Sequence, residues 1–348
     1  SVGISKVRSA DELARFAEGH RAARSGYVVG GSAWDLTNEK RITRGQLDLL
    51  VIDEAGQFSL AKTLAVSVAA TRLLLLGDPQ QLPQVTTGVH AQPVDESALG
   101  WLADGDAVLP GRFGYFLETT WRMHPALTSS VSDLAYAGEL RSEEAVTSAR
   151  VLEGVEPGLH VRLVDHRDNS SDSPEEAEVV RDLVLDLLGR EWHDPSARGD
   201  DGRPGEPRPL EQRDVRVITP YNRQADRLRF ALREAGLEDV TVGTVDKFQG
   251  QEAPVAILSM AASSHSDVSR GMGFLLDRHR LNVAISRGQH SAFIVRSRVL
   301  TDFSPRSPDE LVALGAFLRL CDAAQPTSES AHRQGEVRSG PARAPRPA

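Results

Sequence analysis

Two short apolar runs stand out along this chain because each ends abruptly in polar residues. Residues 47–52 run into Asp53 and Glu54, and residues 73–76 run into Gly77 and Asp78. Both are too short for a helix, and an apolar run bounded by turn residues is the pattern of a strand buried in a parallel sheet. Between them, residues 58–70 place Leu60, Leu64 and Val68 four apart, the spacing of one helical face. Strand, helix and strand in this order predict a βαβ unit that delivers its polar residues at the carboxyl ends of the strands.

A longer series follows. Strands are expected at 159–164, 215–219, 240–245, 255–260 and 292–295, with helices at 173–188, 222–235 and 278–286. This alternation predicts a parallel sheet covered on both faces. Ser173, Pro174 and Glu176 form a helix-start signal, and Ser307, Pro308 and Glu310 repeat it for a last helix over 308–320. Residues 1–24 read as a polar helix, and 27–34 as a strand entering a turn of small residues. Residues 84–114 are mostly loop, and 198–209 form a Gly/Pro/charge-rich surface insertion. Residues 325–348 carry almost nothing apolar and are expected to be disordered. No internal repeat at fixed spacing is present.

Composition narrows the class. Of 348 residues, 40% are hydrophobic and 26% charged, ordinary values for a soluble globular protein of two or three domains. No apolar run reaches the ~18 residues of a membrane span, and the first residues lack a signal-peptide pattern, so a cytoplasmic protein with no membrane partner is expected. The single cysteine, Cys321, rules out an intrachain disulfide and argues against a cysteine-built metal site. A net charge of −9 argues against coating nucleic acid by bulk charge but leaves room for a local basic groove. Only four of the 40 basic residues are lysine, a bias that reads as a GC-rich bacterial genome, so scattered arginines carry no weight. The chain starts at Ser1, which reads as a piece of something longer.

The chemistry sits at the ends of the predicted strands. An acidic pair at a buried strand's tip can hold Mg²⁺ through Asp53, by way of water, and aim a water with Glu54; the plainer reading is two acids ending a strand. Gly77 and Asp78 start good turn chemistry, but the paired glutamines that follow are rarer, and Gln81 can hydrogen-bond a γ-phosphate. Trp121 and Arg122 read singly as core and ion pair; together they can stack on a purine and meet phosphate. His124, beside Pro125, has no partner at ligand spacing and reads as structural. Thr244, Asp246, Lys247, Gln249 and Gly250 crowd at and beyond a strand end, as in a loop that touches phosphates through hydroxyl and N–H groups. Arg280 and Arg287, seven apart, are placed on one helical face, with Arg287 read as an arginine finger worth about 10³–10⁵ in rate where such fingers act. Ser32 and Trp34 are weaker candidates for contact with a nucleic-acid strand. No G-x-x-x-x-G-K-[ST] phosphate loop occurs; Ala61–Lys62–Thr63, the nearest match, lies in a predicted helix without glycines before it.

DEAGQ, GDPQQLPQV, WRMHP, ITPYN, TVDKFQGQE and RLNVAISRG occur in the order of the successive motifs of a superfamily 1 helicase, and over roughly 27–320 the chain resembles that family's 5′→3′ branch, which includes the RNA-surveillance helicases. Within it, WDL, LLVIDEAGQFSLA, SALGWL and VGTVDKFQGQEAP look closest to bacterial proteins that fuse a RecB-like nuclease to a C-terminal helicase. The resemblance implies an α/β fold of two RecA-like parallel-sheet domains, the first incomplete: 1–114 without its phosphate loop, 115–324 as the second domain, and 325–348 as a tail. It implies ATP and Mg²⁺ in a cleft between the domains, with Asp53, Glu54, Gln81, Arg122 and Arg287 catalytic. Trp121 would lie under adenine, with Gly77, Asp78, Gly250 and Glu252 near the nucleotide. Ser32, Thr244, Lys247 and Pro220 would contact single-stranded nucleic acid, DNA ahead of RNA. An upstream nuclease domain would be a partner in the full-length protein, and the chain alone would fold poorly in its first half and turn over no ATP. The rival reading is a non-hydrolysing clamp. A P-loop kinase or transporter ATPase explains neither WRMHP nor TVDKFQGQE.

Overall fold

A computed structural model of the protein describes residues 6, 8–84, 90, 93–94, 96–197 and 204–324. The expected tail at 325–348, the first half of the 198–209 insertion and Val85 of the second motif lie outside the described residues. The chain divides into two compact units, Ser1–Tyr115 and Phe116–Ala348.

In the first unit, helix α1 (Ala10–Ala22) starts at Ser9, whose hydroxyl accepts from Glu12 N. It buries Leu13 with Ile42 and Ala69, against Tyr27, Val29, Leu36 and Leu47. Residues 27–31 were expected as a strand. They run without a ladder partner among the described residues: Tyr27 packs on Phe16 at 5.6 Å while Val28 is exposed. A short apolar run is not enough for a strand, which also needs a neighbour to bond to. Residues 33–34, expected in a turn, begin helix α2 (Ala33–Thr37).

Strand β1 (Leu50–Ile52), helix α3 (Leu60–Ser67) and strand β2 (Leu73–Leu75) form the expected βαβ unit, with Leu50 paired to Leu73 and Ile52 to Leu75 in parallel. Its core is Leu50, Ile52, Ala55, Val66 and Leu99, the last from helix α4 (Ala98–Ala103). Burial differs from expectation in two respects. The inward face of α3 is Thr63 and Val66, continued by Ala69 just beyond its end, whereas Leu64 is 62% exposed and Val68 is also exposed. The strands are covered on one face only, so Val51 and Leu74 face solvent, and Leu73, in register with buried Leu50 on the covered face, is exposed as well. Four-residue spacing defines a stripe but not which neighbour meets it; the hydroxyl of Thr63 is satisfied by Ser59 O at 3.0 Å, which lets that face turn inward.

The second unit is built around helix α5 (Pro125–Ala135), strand β3 (Gly158–Val164), helix α6 (Pro174–Leu187), strand β4 (Val215–Thr219), helix α7 (Asn222–Glu234), strand β5 (Thr241–Thr244), strand β6 (Ala253–Ser259), helices α8 (Met272–Leu275) and α9 (Arg278–Ile285), strand β7 (Gly288–Ser297) and helix α10 (Pro308–Asp322). The five strands are all parallel, in the order β5-β4-β6-β7-β3. Val217, Ile257 and Phe293 join Val184 of α6 and Leu228 of α7 in one core. The alternate residues Ala256, Leu258 and Ile294 are also buried, beneath α5 and α9, with α10 packed on α5. This is the α/β, RecA-like sheet expected, covered on both faces. Smaller pairings flank it, parallel at Thr119–Thr120 with Arg141–Ser142 and antiparallel among Val151–Leu152, Glu191–His193 and Arg208–Pro209.

Both helix-start signals hold: Ser173 accepts from Glu176 N at 3.1 Å and Ser307 from Glu310 N at 3.1 Å. The Glu176 carboxylate, however, turns into the core. It lies 3.1 Å from His166 Nε2 and accepts from Ser259 Oγ at 2.7 Å and Ala261 N at 2.9 Å, tying α6 to the carboxyl end of β6 and to the loop after β3. Both side chains of this pair are fully buried. Removing this acceptor leaves the Ser259 hydroxyl, the Ala261 N–H and the His166 ring short of a partner in the core, so Glu176→Ala is expected to cost about 1–3 kcal/mol for each group stranded. Urea unfolding followed on the second unit's transition checks this; a loss near zero would show that these bonds are dispensable.

Candidate nucleotide and nucleic-acid site

At the tip of the β1–β2 pair, Ala55 N donates to Leu76 O at 2.8 Å, so the two strand ends remain side by side. Asp53 and Glu54 are exposed there, with Glu54 in the left-handed region at φ 53° and its N–H bonded to Asp53 Oδ1 at 3.0 Å. The next loop lies directly against them. A Cβ on Gly56 would meet Asp78 O at 2.4 Å, and one on Gly77 would meet Ala55 N at 2.7 Å. Asp78 then organises its own turn, accepting from Gln80 N at 2.9 Å and Gln81 Nε2 at 3.0 Å. Asp53, Glu54, Gly77, Asp78 and Gln81 thus share one strand tip, where Gly77 acts through close backbone approach.

In the second unit Arg122 and Glu252, 130 residues apart, meet at 2.6 Å, and Glu252 also accepts from Gln289 Nε2 at 2.9 Å. Burial works against the Glu252 charge, but these bonds and Arg122's charge hold its carboxyl below the usual range. Trp121 is 62% exposed beside them. Arg150, which the sequence reading did not single out, fixes this segment. Its guanidinium donates to the carbonyls of Arg122 and Trp121, and its Nε lies 3.0 Å from the Asp194 carboxylate, both side chains being buried. A lone arginine in SARVL carries no local signal, because its partners lie about 30 and 40 residues away.

Arg287 is 1% exposed. It donates to Val283 O at 2.9 Å, Phe248 O at 3.4 Å and Gln251 O at 3.3 Å, so it braces the 248–251 loop. It also lies past the end of α9, so it does not share a helical face with the partly exposed Arg280, contrary to expectation; the Asn282 carbonyl already bonds Ser286 N, and the chain turns into β7. Gly250 sits at φ 74°, a conformation that favours glycine. Thr244 ends β5 and Lys247 is exposed in the following turn, with Nζ 3.3 Å from Val242 O. Pro220 is buried, which leaves it no surface for strand contact. Ser32 caps α2, its hydroxyl donating to Asp35 at 2.6 Å, a role that already accounts for it. Trp34 is 85% exposed. Among the described residues no group of three or more His, Cys, Asp or Glu could hold a metal ion, and no helix is long and apolar enough to cross a membrane.

Residues 109–298 match the family model AAA_12, described as an AAA domain. The chain belongs to this family. It is 30% identical over 269 residues to the DNA polymerase alpha-associated DNA helicase A of Schizosaccharomyces pombe, 73% of this chain and 38% of that protein. It is 29% identical over 283 residues to DNA-binding protein SMUBP-2 of Rattus norvegicus, 76% of this chain and 26% of that one. Among solved structures, PRRSV helicase aligns at a TM-score of 0.34 and 17% identity, over 71% of this chain and 34% of that chain. The AAA_12 match and these relatives make the chain a superfamily 1 helicase domain. It spans well under half the length of either curated relative.

The WRMHP segment of this AAA_12 domain rests on a buried histidine group. His124 caps α5, its Nδ1 accepting from Ala126 N at 3.2 Å, which bears out its structural reading. Its ring lies 5.8 Å from that of His290. Burial lowers His290 to about 3, with His124, His160 and Arg150 adding to the effect. Burial also lowers His124, with Arg150, and His160, against the bond to Glu156 O. A histidine kept neutral in the fold but titrating near 6.5 when unfolded contributes its full stability above about pH 6.5 and loses it as pH falls towards 3. His290 alone is therefore expected to lower the second unit's stability by about 2 kcal/mol between pH 7 and pH 5. Urea midpoints at the two pH values check this, and His290→Phe should flatten the dependence; equal wild-type midpoints would refute it.

Proposed function

We propose that this chain is the C-terminal part of an ATP-dependent helicase that moves 5′→3′ along single-stranded nucleic acid, DNA ahead of RNA, with an upstream nuclease domain in the same protein. The observation that carries this reading is the shared tip of β1 and β2, where Gly56 and Gly77 let two motif loops touch and gather Asp53, Glu54, Asp78 and Gln81. Exposed carboxylate oxygens suit a hard cation that keeps most of its waters, so Asp53 fits Mg²⁺. Bound there with ATP, the ion would offset charge on the phosphates. Glu54 orients the attacking water, and Gln81 bonds the γ-phosphate. Trp121 stacks on adenine, beside Arg122, Glu252 and Gly250. Arg122 is the more accessible cation; Arg287 meets phosphate only after releasing the carbonyls it now holds. Thr244 and Lys247 grip the strand, and that grip alternates with the nucleotide cycle. Turnover also requires a phosphate loop, whose G-x-x-x-x-G-K-[ST] pattern these residues do not contain.

The buried state of Arg287 favours a second reading, a helicase relic that clamps nucleic acid without hydrolysis. ATP turnover with and without a single-stranded oligonucleotide separates the two. The chain alone is expected to show none. In the protein that also carries the phosphate loop, oligonucleotide-stimulated turnover is expected, with Glu54→Gln lowering kcat by about 10²–10⁴ and Arg287→Ala by about 10³–10⁵. A clamp would show no turnover even there and would keep its oligonucleotide affinity in Arg287→Ala. Turnover by the chain alone would overturn the reading of the first unit.

A further inference from the structure

The loop between β6 and α9, together with Arg280 in the first turn of α9, carries a charge arrangement to which the motif reading gave no role. Arg270 Cζ lies 3.7 Å and Arg280 Cζ 4.4 Å from the centroid of the Phe274 ring. Two guanidiniums on one ring can be no farther apart than the sum of those distances, and like charges this close repel. The compensation around them is thin. Asp246 reaches Arg280 only at 3.7 Å, and Asp277 spends a carboxylate oxygen on Arg280 N as the cap of α9. No carboxylate pairs with Arg270 among the described residues. Ser269, Arg270 and Gly271 are exposed, and the Arg280 side chain is partly so.

The cluster is continuous with the expected strand contacts. Phe274 packs 5.7 Å from Tyr221, which follows Pro220 at the end of β4, and Asp246 lies between Thr244 and Lys247 after β5. All these groups therefore lie at the carboxyl edge of one parallel sheet. Cation–π contact fixes both guanidiniums before a ligand arrives, which reduces the ordering cost of binding. An under-compensated, pre-ordered pair of planar cations suits successive phosphates of a single strand.

We propose that Arg270 and Arg280, held by Phe274, form a phosphate clamp that extends the strand-binding surface from Thr244 and Lys247 across the 269–280 loop. This rests on the helicase reading, and the test separates the two. Binding of a fluorescein-labelled oligothymidylate to the chain is followed by anisotropy over a series of salt concentrations. Arg270→Ala and Arg280→Ala are each expected to weaken binding about five- to tenfold and to flatten the salt slope by about 0.7. Arg270→Lys, which keeps the charge, should retain the slope, and Phe274→Leu, which frees both cations, should weaken binding with the slope kept. Should Arg280→Ala melt early, Arg280→Lys and the exposed Arg270 carry the test. Wild-type affinity and slope in the arginine variants, with Lys247→Ala still weakened, would overturn the clamp and leave the helicase reading standing. No binding by the wild-type chain would instead bring down the strand-contact reading itself, and the clamp with it.

Discussion

An all-parallel sheet forces every strand to begin at one edge and end at the other, and the second unit is organised by that constraint. Glu252 and Arg287 immediately precede β6 and β7, so they fall at the starting edge, where Arg122 joins them. Thr244 ends β5 and Tyr221 follows β4, so both fall at the finishing edge. Every connection must therefore cross back between the edges, and the shortest, from the end of β5 to the start of β6, is VDKFQGQE. Its first half carries Lys247 and its second half Gly250 and Glu252. Phe248 pins its middle in the core, and the Arg287 bonds to the carbonyls of Phe248 and Gln251 hold the rest. A change at one edge therefore has a short, braced covalent path to the other.

The same reasoning shows what could be read from residues alone. The parallel sheet, its helices and both Ser-Pro helix starts were legible because strand runs, caps and prolines act locally. Asp53 beside Asp78 was legible too, because two adjacent parallel strands that end in polar loops must present those loops together. What escaped the reading depends on neighbours. The Leu60–Leu64–Val68 stripe was legible as a stripe, but the side of α3 that meets the core depends on what packs there. Arg287 looked like a free cation at the end of a helix, and only the fold shows three carbonyls around it. Glu176 looked like half of a helix-start signal, and its carboxylate instead joins α6, β6 and His166.

Buried charge is where this chain departs furthest from what composition implies. An arginine excess that carries no meaning on the surface acquires it at Arg150 and Arg287, whose guanidiniums are spent largely on main-chain carbonyls. A guanidinium offers five donors in a fixed fork, so one side chain can hold two or three carbonyls of a loop in register. Arg150 does this for the 121–122 segment and Arg287 for 248–251. Asp194 offsets the first charge at 3.0 Å. Lysine, with a single pivoting ammonium, would keep the charge but lose the geometry.

Close approach sets an equally strict condition in the first unit. The loops that carry Asp53 and Asp78 are joined by main chain rather than by side chains, because a Cβ at Gly56 or Gly77 would sit within 2.4–2.7 Å of backbone atoms that cannot rotate aside. The two acids are consequently fixed relative to each other even though Asp53 and Glu54 themselves are exposed. Exposed carboxylates on flexible loops would drift apart and gather solvent. Held by backbone contact, they stay available without being buried, and their placement does not depend on the charge they carry. That separates the positioning of the strand tip from its electrostatics, so the proposed cation and phosphate would meet side chains already in place.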